Sequence, residues 1–389
     1  SSSDSSSSES SSSESSSSES SSSESSTTST EDSDGDGTTD DLDNCVLVYN
    51  AAQTDVDLDG TGDLCDDEIV DDGVTLFVPA GAVYELDDFL CYDEVRIEGT
   101  IAVVPVAEGG LGAILLQAAR ITITDGALVD GDGAGYLGGS PGSDAGGEGG
   151  NGIGAGCGGG PGDCVGQAGS GAGYGGQGGM PGDPLAAGNA CEACSDAETT
   201  SCSGSAGPIT GSDDQADIDL GSGGGAAGNS CGCMDAGGRG GHGGGGVGLI
   251  ATELVHVDGT ITVNGETPPV DASACGFRPG GGGGSGGGIA IAAPQIDGNA
   301  MLSVRGGDGG SSPGDDLSAS GWGGGGGGGG RVKIFSPASS FAGTIALAGG
   351  QGGAAPIEAN SFAGLPGADG IAHTDVSVPQ EYGQLPCSN

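Results

Sequence analysis

The chain contains very few basic and aromatic side chains. Lys and Arg together number 7 among 389 residues, against 55 Asp and Glu, and aromatic residues make up 3%. The formal net charge of -48 would repel a phosphate backbone, which excludes nucleic acid as a partner. The scarcity of aromatic residues excludes a large aromatic core. Stability must therefore come from backbone pairing, close backbone packing, cross-links and bound cations.

Long apolar runs and helical patterns are also missing. No stretch is apolar over the roughly 20 residues that a membrane-spanning helix needs. No window has a helical period, and a content of 91 Gly opposes helix formation. The body of the chain is therefore predicted to be all-β.

A repeated pattern organises that body: a glycine run, a short alternating apolar segment, a turn and a second alternating segment. It occurs at 109–131, 240–265, 280–307 and 323–350. Aligned on Ala113, Gly248, Ile289 and Val332, the last three copies lie about 41 to 43 residues apart, a period typical of solenoids and arrays. Each copy contains two strand-like pieces, such as 289–292 and 300–304. We predict a parallel β-helix-like or β-repeat body.

The glycine runs stand at one place in every repeat, immediately before a strand. A Gly/Ser run in isolation is typical of a flexible linker, whereas a fixed position favours close backbone packing. Glycine-rich chains can form extended left-handed helices with three residues per turn that pack side by side. The composition of residues 130–353 resembles the polyglycine II bundles of some phage adhesin tips and of certain receptor kinases. That resemblance implies ordered glycine helices, with mobile loops as the alternative.

Residues 1–31 form a Ser-rich, acidic, low-complexity tail with an acid at every fifth position. A segment without apolar residues cannot offset its ordering entropy, so we expect a disordered stalk or a tail ordered by a partner. It could be O-glycosylated or dock into a neighbouring subunit. The chain does not begin with Met, which suggests that a signal peptide or lipobox was removed and favours a secreted or cell-surface location.

Residues 32–67 carry the most specific chemistry. Carboxylates recur at every second position and are closed by Gly, an arrangement that lets oxygen atoms converge on a hard cation such as Ca²⁺. The candidate ligands are Asp32, Asp34, Asp36, Asp40, Asp43, Asn50, Asp55, Asp57, Asp59, Asp63 and Asp66. A merely acidic linker is the alternative, but it would not place Gly and Cys so regularly.

This stretch resembles a thrombospondin type 3 repeat. It matches the DxDxDGxxDxxDNC half and the NxxQxDxDxDGxGDxCD half, with Val46 where the family usually has Pro. The resemblance implies bound Ca²⁺ and a disulfide between Cys45 and Cys65. It also implies a spacer or link between domains, so calcium is expected to stiffen the joint between the tail and the body.

Residues 68–389 form the predicted glycine-rich β-repeat domain, in which 73–108 provide an atypical capping turn and 132–239 a Cys-rich insert. The insert contains Cys157, Cys164, Cys191, Cys194, Cys202, Cys231 and Cys233. CEAC at 191–194 and CGC at 231–233 could bind Zn²⁺, but export and an even number of cysteines favour disulfides. A bridge from Cys387 could tie the C-terminal tail back to the body.

Three fragments follow the order of the DD, GHG and RIK motifs of polygalacturonases, which are parallel β-helices: Asp213 with Asp214, GHG at 241–243, and RVK at 331–333. Paired carboxylates could act as acid and base on a glycosidic bond. However, the NTD motif of that family is absent, and GHG arises easily inside a glycine run. The chain is therefore predicted not to be an enzyme, with a β-helix polysaccharide-degrading enzyme as a remote alternative.

Together these patterns predict a calcium-binding structural protein that builds an extracellular fibre, filament or surface layer by self-assembly. The alternative is an adhesin whose insert, residues 132–239, binds a glycan or another cell. Ice binding is weaker, because the Thr-x-Thr pairs at 122–124 and 260–262 make no ladder.

Overall fold

The computed structural model describes residues 32–47, 51, 53, 55, 60–62, 65, 69–141, 148–158, 168–182, 206–212, 218–228, 237–269, 279–312, 322–355, 361–377 and 379. The chain divides into two compact units, Ser1–Gln53 and Thr54–Asn389. The boundary therefore falls inside the predicted 32–67 module. The predicted tail, residues 1–31, lies outside the described part.

The regular secondary structure in the described part of the larger unit is all β, as predicted, apart from a short 3₁₀ helix at Val106–Glu108. Its first strands are β1 (Val70–Asp71), β2 (Thr75–Val78), β3 (Val83–Leu86), β4 (Phe89–Cys91), β5 (Glu94–Ile97), β6 (Thr100–Val103), β7 (Ala113–Ile123) and β8 (Leu128–Asp130). The later strands are β9 (Gly246–Val257), β10 (Thr260–Thr262), β11 (Gly288–Ala292), β12 (Gln295–Asp297), β13 (Met301–Ser303), β14 (Arg331–Phe335), β15 (Ala338–Ser339), β16 (Thr344–Ala346) and β17 (Ile371–Asp375).

The strands stack in three parallel columns. The first column contains β4, the first half of β7, the first half of β9, β11, β14 and β17. The second contains β2, β5, the second halves of β7 and β9, β12 and β15. The third contains β3, β6, β8, β10, β13 and β16. Successive strands along the chain therefore belong to the first, second and third column in turn, and this order repeats.

The core lies between the columns, where one face of each strand is apolar. In the first column Ile114, Val247, Ile289 and Val332 stand in register, and each is at most 1% exposed. Val247, Ile289 and Val332 lie 42 and 43 residues apart. The predicted alignment placed Ala113 and Gly248 in register with Ile289, and each is one residue away from the residue found there. Alternation shows which residues share a face of a strand, but the flanking glycines do not show where the strand starts.

Each repeat has three strands rather than the two predicted. The additional strand lies between the two pieces identified from the sequence, and in β12 and β15 it is only two or three residues long. In β7 and β9 it is fused to the strand before it. Two or three residues are too few to display alternation, which is why the pattern reveals only two.

Residues 73–108, which were predicted to form a capping turn, are instead part of the strand columns. This range contains β2 to β6, whose inward side chains belong to the main core. The covering strand is instead β1, which pairs antiparallel with β2. Tyr84 and Tyr92 donate hydrogen bonds to the Asp71 carboxylate over 2.7 and 3.2 Å, and this bond raises the pKa of Tyr84 to about 12.

The described glycine-rich segments between the strands pack side by side, and we call them the glycine bundle. They are residues 135–141, 148–158, 168–182, 206–212, 218–228, 237–245, 265–269, 279–287, 304–312, 322–330, 347–355 and 361–370. Segment 322–330 shows the pattern: its N–H groups donate to three neighbours in turn, with a period of three residues. Gly323, Gly326 and Gly329 donate to one neighbour, Gly324, Gly327 and Gly330 to a second, and Gly325 and Gly328 to a third.

The carbonyl groups of the same segment accept hydrogen bonds from three further segments, 279–287, 347–355 and 176–182. Their N···O distances, like those of the donated bonds, lie between 2.6 and 3.0 Å. Segment 322–330 therefore bonds directly to six neighbouring stretches of chain, of which 168–172 and 176–182 belong to the same segment. These glycine segments are not free linkers, since their backbone groups are satisfied by other segments of the bundle.

Glycine is required where segments approach this closely. A Cβ atom built on Gly327 would lie under 3.0 Å from the Gly284 carbonyl, a distance that side chains do not tolerate. At Gly149, also in the bundle, the nearest atom to such a Cβ is the Gly156 oxygen at 3.4 Å, an ordinary contact. The two positions form a matched pair for measuring the packing constraint.

We expect Gly327→Ala to lower the free energy of unfolding by at least about 1 to 3 kcal/mol, because the new methyl group forces backbones apart. Gly149→Ala should change it by less than about 1 kcal/mol. Urea unfolding followed by circular dichroism measures both. Equal effects of the two substitutions would contradict the close packing described for segment 322–330.

Candidate metal site

The first acidic loop begins at Asp32, and its turns depend on two glycines. Gly35 and Gly37 have positive φ angles of 79° and 101°, which glycine adopts without strain. Their N–H groups donate to the two carboxylate oxygens of Asp32 over 2.8 and 3.0 Å. The carboxylates of Asp34 and Asp36 each accept the N–H two residues further on, over 3.1 and 2.7 Å. The carboxylates of the DxDxDG segment thus accept hydrogen bonds from backbone N–H groups of their own loop.

This loop brings three carboxylates together. Asp32, Asp34 and Asp36 each offer an oxygen within 4.8 Å of the others, and together they could hold a metal ion. Burial and the charges of Asp36, Asp43 and Asp32 raise the pKa of Asp34. Its Oδ2 atom is shielded from solvent and has no hydrogen-bond partner within the described residues. A cation at this point would satisfy that oxygen and cancel the repulsion.

Gln53 links the triad to the next acidic residues. Its side-chain amide donates to Asp36 over 3.1 Å and to Asp43 over 3.0 Å, and its carbonyl oxygen accepts the Asn44 N–H over 3.0 Å. Gln53 also has a positive φ of 49°, which is uncommon for a residue other than glycine. Gln53 is not among the ligands predicted from the sequence. Its fixed place in the NxxQxDxD motif was the signal that could have indicated its role.

The other predicted ligands have different positions. Asp40 accepts hydrogen bonds from the N–H and hydroxyl of Ser33, both over 2.8 Å, and Asp43 accepts the Cys45 N–H over 2.8 Å. In the larger unit, Asp55 accepts the Gly60 N–H over 3.1 Å. Asn50, Asp57, Asp59, Asp63 and Asp66 lie outside the described residues. Only three of the predicted ligands are therefore grouped in the described part of the chain.

No protein-family model, curated protein or solved structure matches this chain. Among the residues described here, none forms a helix with the length and hydrophobicity to cross a bilayer.

The cysteines agree with the sequence analysis in part. Cys45 and Cys65 are both disulfide-bonded, as is Cys91. The pairing of Cys45 with Cys65 stays a prediction. Cys157 is buried, and its N–H donates to the Ser170 hydroxyl over 2.5 Å. The expectation that the insert cysteines form disulfides stays a prediction. The other six insert cysteines, with Cys275 and Cys387, lie outside the described residues.

The described fragments that resemble polygalacturonase motifs make contacts with different parts of the chain. His242 accepts the Gly138 N–H at Nδ1 over 3.0 Å and lies beside the Arg239–Glu266 ion pair; burial lowers its pKa. Arg331 lies over the Tyr174 ring, 5.0 Å from its centre. Asp213 and Asp214 lie outside the described residues.

A second titratable cluster joins two repeats on the second column. His256 on β9 lies 2.6 Å from Asp297 on β12 through Nδ1, and 3.0 Å from Asp258 through Nε2. The hydrogen bond to Asp297 and the neighbouring Asp258 charge raise the pKa of His256. When protonated, the imidazole can pair with both carboxylates and so link β9 to β12. The cluster is partly exposed, so its contribution is screened.

For the metal site, we expect Asp34→Asn to weaken Ca²⁺ binding to the whole chain by at least about tenfold, because it removes the carboxylate whose oxygen has no other described partner. Asp41→Asn is the matched control: it removes the same charge from the same loop, but Asp41 bonds to the Thr39 hydroxyl and lies outside the triad. Isothermal titration with CaCl₂ measures both. Similar losses in the two variants would show that only overall charge matters.

For the second cluster, we expect His256→Gln to destabilise the protein more at pH 5.5 than at pH 8.5. The pKa of His256 is higher in the folded protein than in the unfolded protein, where it is about 6.5. The charged imidazole therefore stabilises the fold fully below pH 6.5, and this contribution is lost as the pH rises through the pKa of the folded protein. Urea unfolding at the two pH values measures the difference. An NMR titration placing the pKa of His256 at or below 6.5 would contradict this.

Proposed function

We propose that this chain is a secreted or cell-surface, calcium-binding structural protein without enzymatic activity, which self-assembles into an extracellular fibre, filament or surface layer. In this proposal, residues 32–67 are a thrombospondin type 3-like link that binds Ca²⁺. The body is a parallel β-helix whose glycine bundle is of the polyglycine II type. The tail at 1–31 is a stalk or an assembly strand.

The ends of the strand columns support self-assembly. Within the described residues, β3 and β4 at one end and β15, β16 and β17 at the other each pair on one side only. Unpaired strand edges are templates for pairing with another chain. Because the columns are parallel and in register, the end of one copy can continue the columns of the next. Head-to-tail contacts that do not close into a ring give open filaments.

Charge supports a role for the cation in assembly. With a net charge of -48, two copies repel each other. Acidic residues lie at both ends of the columns, including Glu85 and Asp88 at one end and Asp369 and Asp375 at the other. Ca²⁺ would lower this repulsion and fill the acidic loop. A calcium requirement for filament growth follows from both effects.

One observation favours an adhesin as the second candidate function. A cavity of about 240 Å³ is lined, among the described residues, only by residues of the 132–239 insert. An adhesin would use this insert to hold a ligand while the strand columns act as its support.

We expect purified protein to elongate into regular filaments when Ca²⁺ is added and to disassemble with EGTA, as seen by negative-stain electron microscopy. Thr374→Pro should stop growth. The Ile371 N–H on β17 donates inward to Gly330, so in a parallel ladder the N–H of Thr374 points to the open edge. Proline there removes an outward donor and leaves the inward bonds in place.

Thr374→Ala is the matched control, because it keeps that N–H while removing the same side chain; its filaments should be normal. Single particles under all calcium conditions would contradict the fibre proposal. Filaments that form equally well with Thr374→Pro would show that assembly uses another surface.

A further inference from the structure

The cavity in the insert has the size of a small ligand. Its volume is about 240 Å³. Pockets for drug-sized ligands usually measure roughly 300 to 1,000 Å³. The cavity therefore has room for a compact group such as one sugar ring, and not for a folded peptide segment.

Two tyrosine rings line this cavity. Tyr174 is 1% exposed and Tyr136 is 37% exposed, so one ring is buried in the wall and the other is open to solvent. Ile153, 82% exposed, adds an apolar side chain beside them. Aromatic residues make up only 3% of the chain, so two in one cavity are a local concentration. A ligand with an apolar ring face would pack on such a surface.

Polar groups complete the wall. Thr210, Ser212, Asp219 and Ser222 also line the cavity. Ser222 is 2% exposed, and its hydroxyl accepts the Gly154 N–H over 3.0 Å. A few polar groups around an apolar surface can orient a ligand that carries several hydroxyl groups.

The charges around the cavity favour a neutral ligand. A Cβ atom on Gly211 would lie under 3.0 Å from both a guanidinium nitrogen of Arg331 and Oδ2 of Asp219. The two charged atoms are therefore less than 6 Å apart. Ca²⁺ needs six to eight oxygen ligands, whereas the described wall offers one carboxylate with a cation nearby. An anionic ligand is disfavoured by the net charge of -48.

Backbone hydrogen bonds hold the wall in place before any ligand arrives. The Tyr136 N–H donates to Gly221 over 3.0 Å, and the Thr210 N–H donates to Tyr174 over 2.9 Å. A guanidinium N–H of Arg331 donates to the Thr210 carbonyl over 2.8 Å. These bonds fix the Tyr136 segment to segment 218–228, and the Tyr174 segment to segment 206–212 and through it to β14. Little ordering entropy would be lost on binding.

We infer that this cavity binds a single neutral hexose unit of a polysaccharide, with Tyr136 packing against the apolar face of the sugar and Asp219 accepting hydrogen bonds from its hydroxyl groups. The inference rests on the adhesin alternative given above and specifies its ligand. It does not depend on whether the chain forms filaments.

The test is a titration of the full chain with methyl α-glucoside, methyl α-mannoside and methyl β-galactoside, followed by saturation-transfer NMR. At least one of the three should bind, with a dissociation constant in the millimolar range. Tyr136→Ala and Asp219→Asn should each weaken that binding by about tenfold or more. Tyr136→Phe should keep most of it, because the ring remains.

Tyr84→Phe is the control outside the site: it removes a tyrosine hydroxyl bonded to Asp71 and should leave binding unchanged. Circular dichroism of each variant checks the fold. Binding of none of the three hexosides would overturn the inference. So would unchanged binding in Tyr136→Ala and Asp219→Asn, or tighter binding of methyl glucuronide than of methyl glucoside.

A parallel binding assay with insoluble glucan, mannan and galactan separates this inference from the adhesin function. Polysaccharide binding that survives Tyr136→Ala, together with no hexoside binding, would reject the cavity as the site while the adhesin function stands. Absence of binding in both assays would reject both.

Discussion

Backbones in the glycine bundle lie so close together that most of its glycine positions have no space for a single Cβ carbon. In segment 322–330, every position from Gly323 to Gly330 would place a Cβ under 3.0 Å from a backbone atom of another segment. Hydrogen bonds between segments require this closeness. The bundle is thus held by main-chain groups, and side chains contribute to the core only where the strand columns lie.

The same constraint positions the insert on the first column. The outward side of β9 carries Gly246 and Gly248, and a Cβ at either position would lie under 3.0 Å from the Ile218 side chain of the insert. Further along the column, the outward residues of β14 are larger: Arg331 and Lys333 are each 2% exposed. Arg331 bonds to Thr210 and lies over Tyr174, so a buried cation joins the sheet to the insert. Gly246 and Gly248 thus leave space for the insert to pack on β9, and Arg331 binds the insert to β14.

The sequence predicts the parts of this fold that depend on local pattern. Alternation in 289–292 and 300–304 was enough to indicate strands, and the DxDxDG pattern was enough to bring Asp32, Asp34 and Asp36 together. The partners of the glycine segments could not be predicted, because Gly325 and Gly169 bond to each other across 156 residues and glycine carries no side-chain pattern. The role of Gln53 was missed because its side chain bonds to Asp36 and Asp43, 17 and 10 residues earlier in the chain, and only folding brings these groups together.

The three-residue period of the hydrogen bonds restricts how such a bundle can change in length. Each N–H meets the same neighbour only at every third residue, so an insertion of one or two residues would turn all later donors toward the wrong segments. A segment in such a bundle can lengthen without losing its partners only in steps of three residues. Because outgoing and returning segments bond to each other, both must change together. The bundle therefore allows only discrete segment lengths, which differ by multiples of three residues.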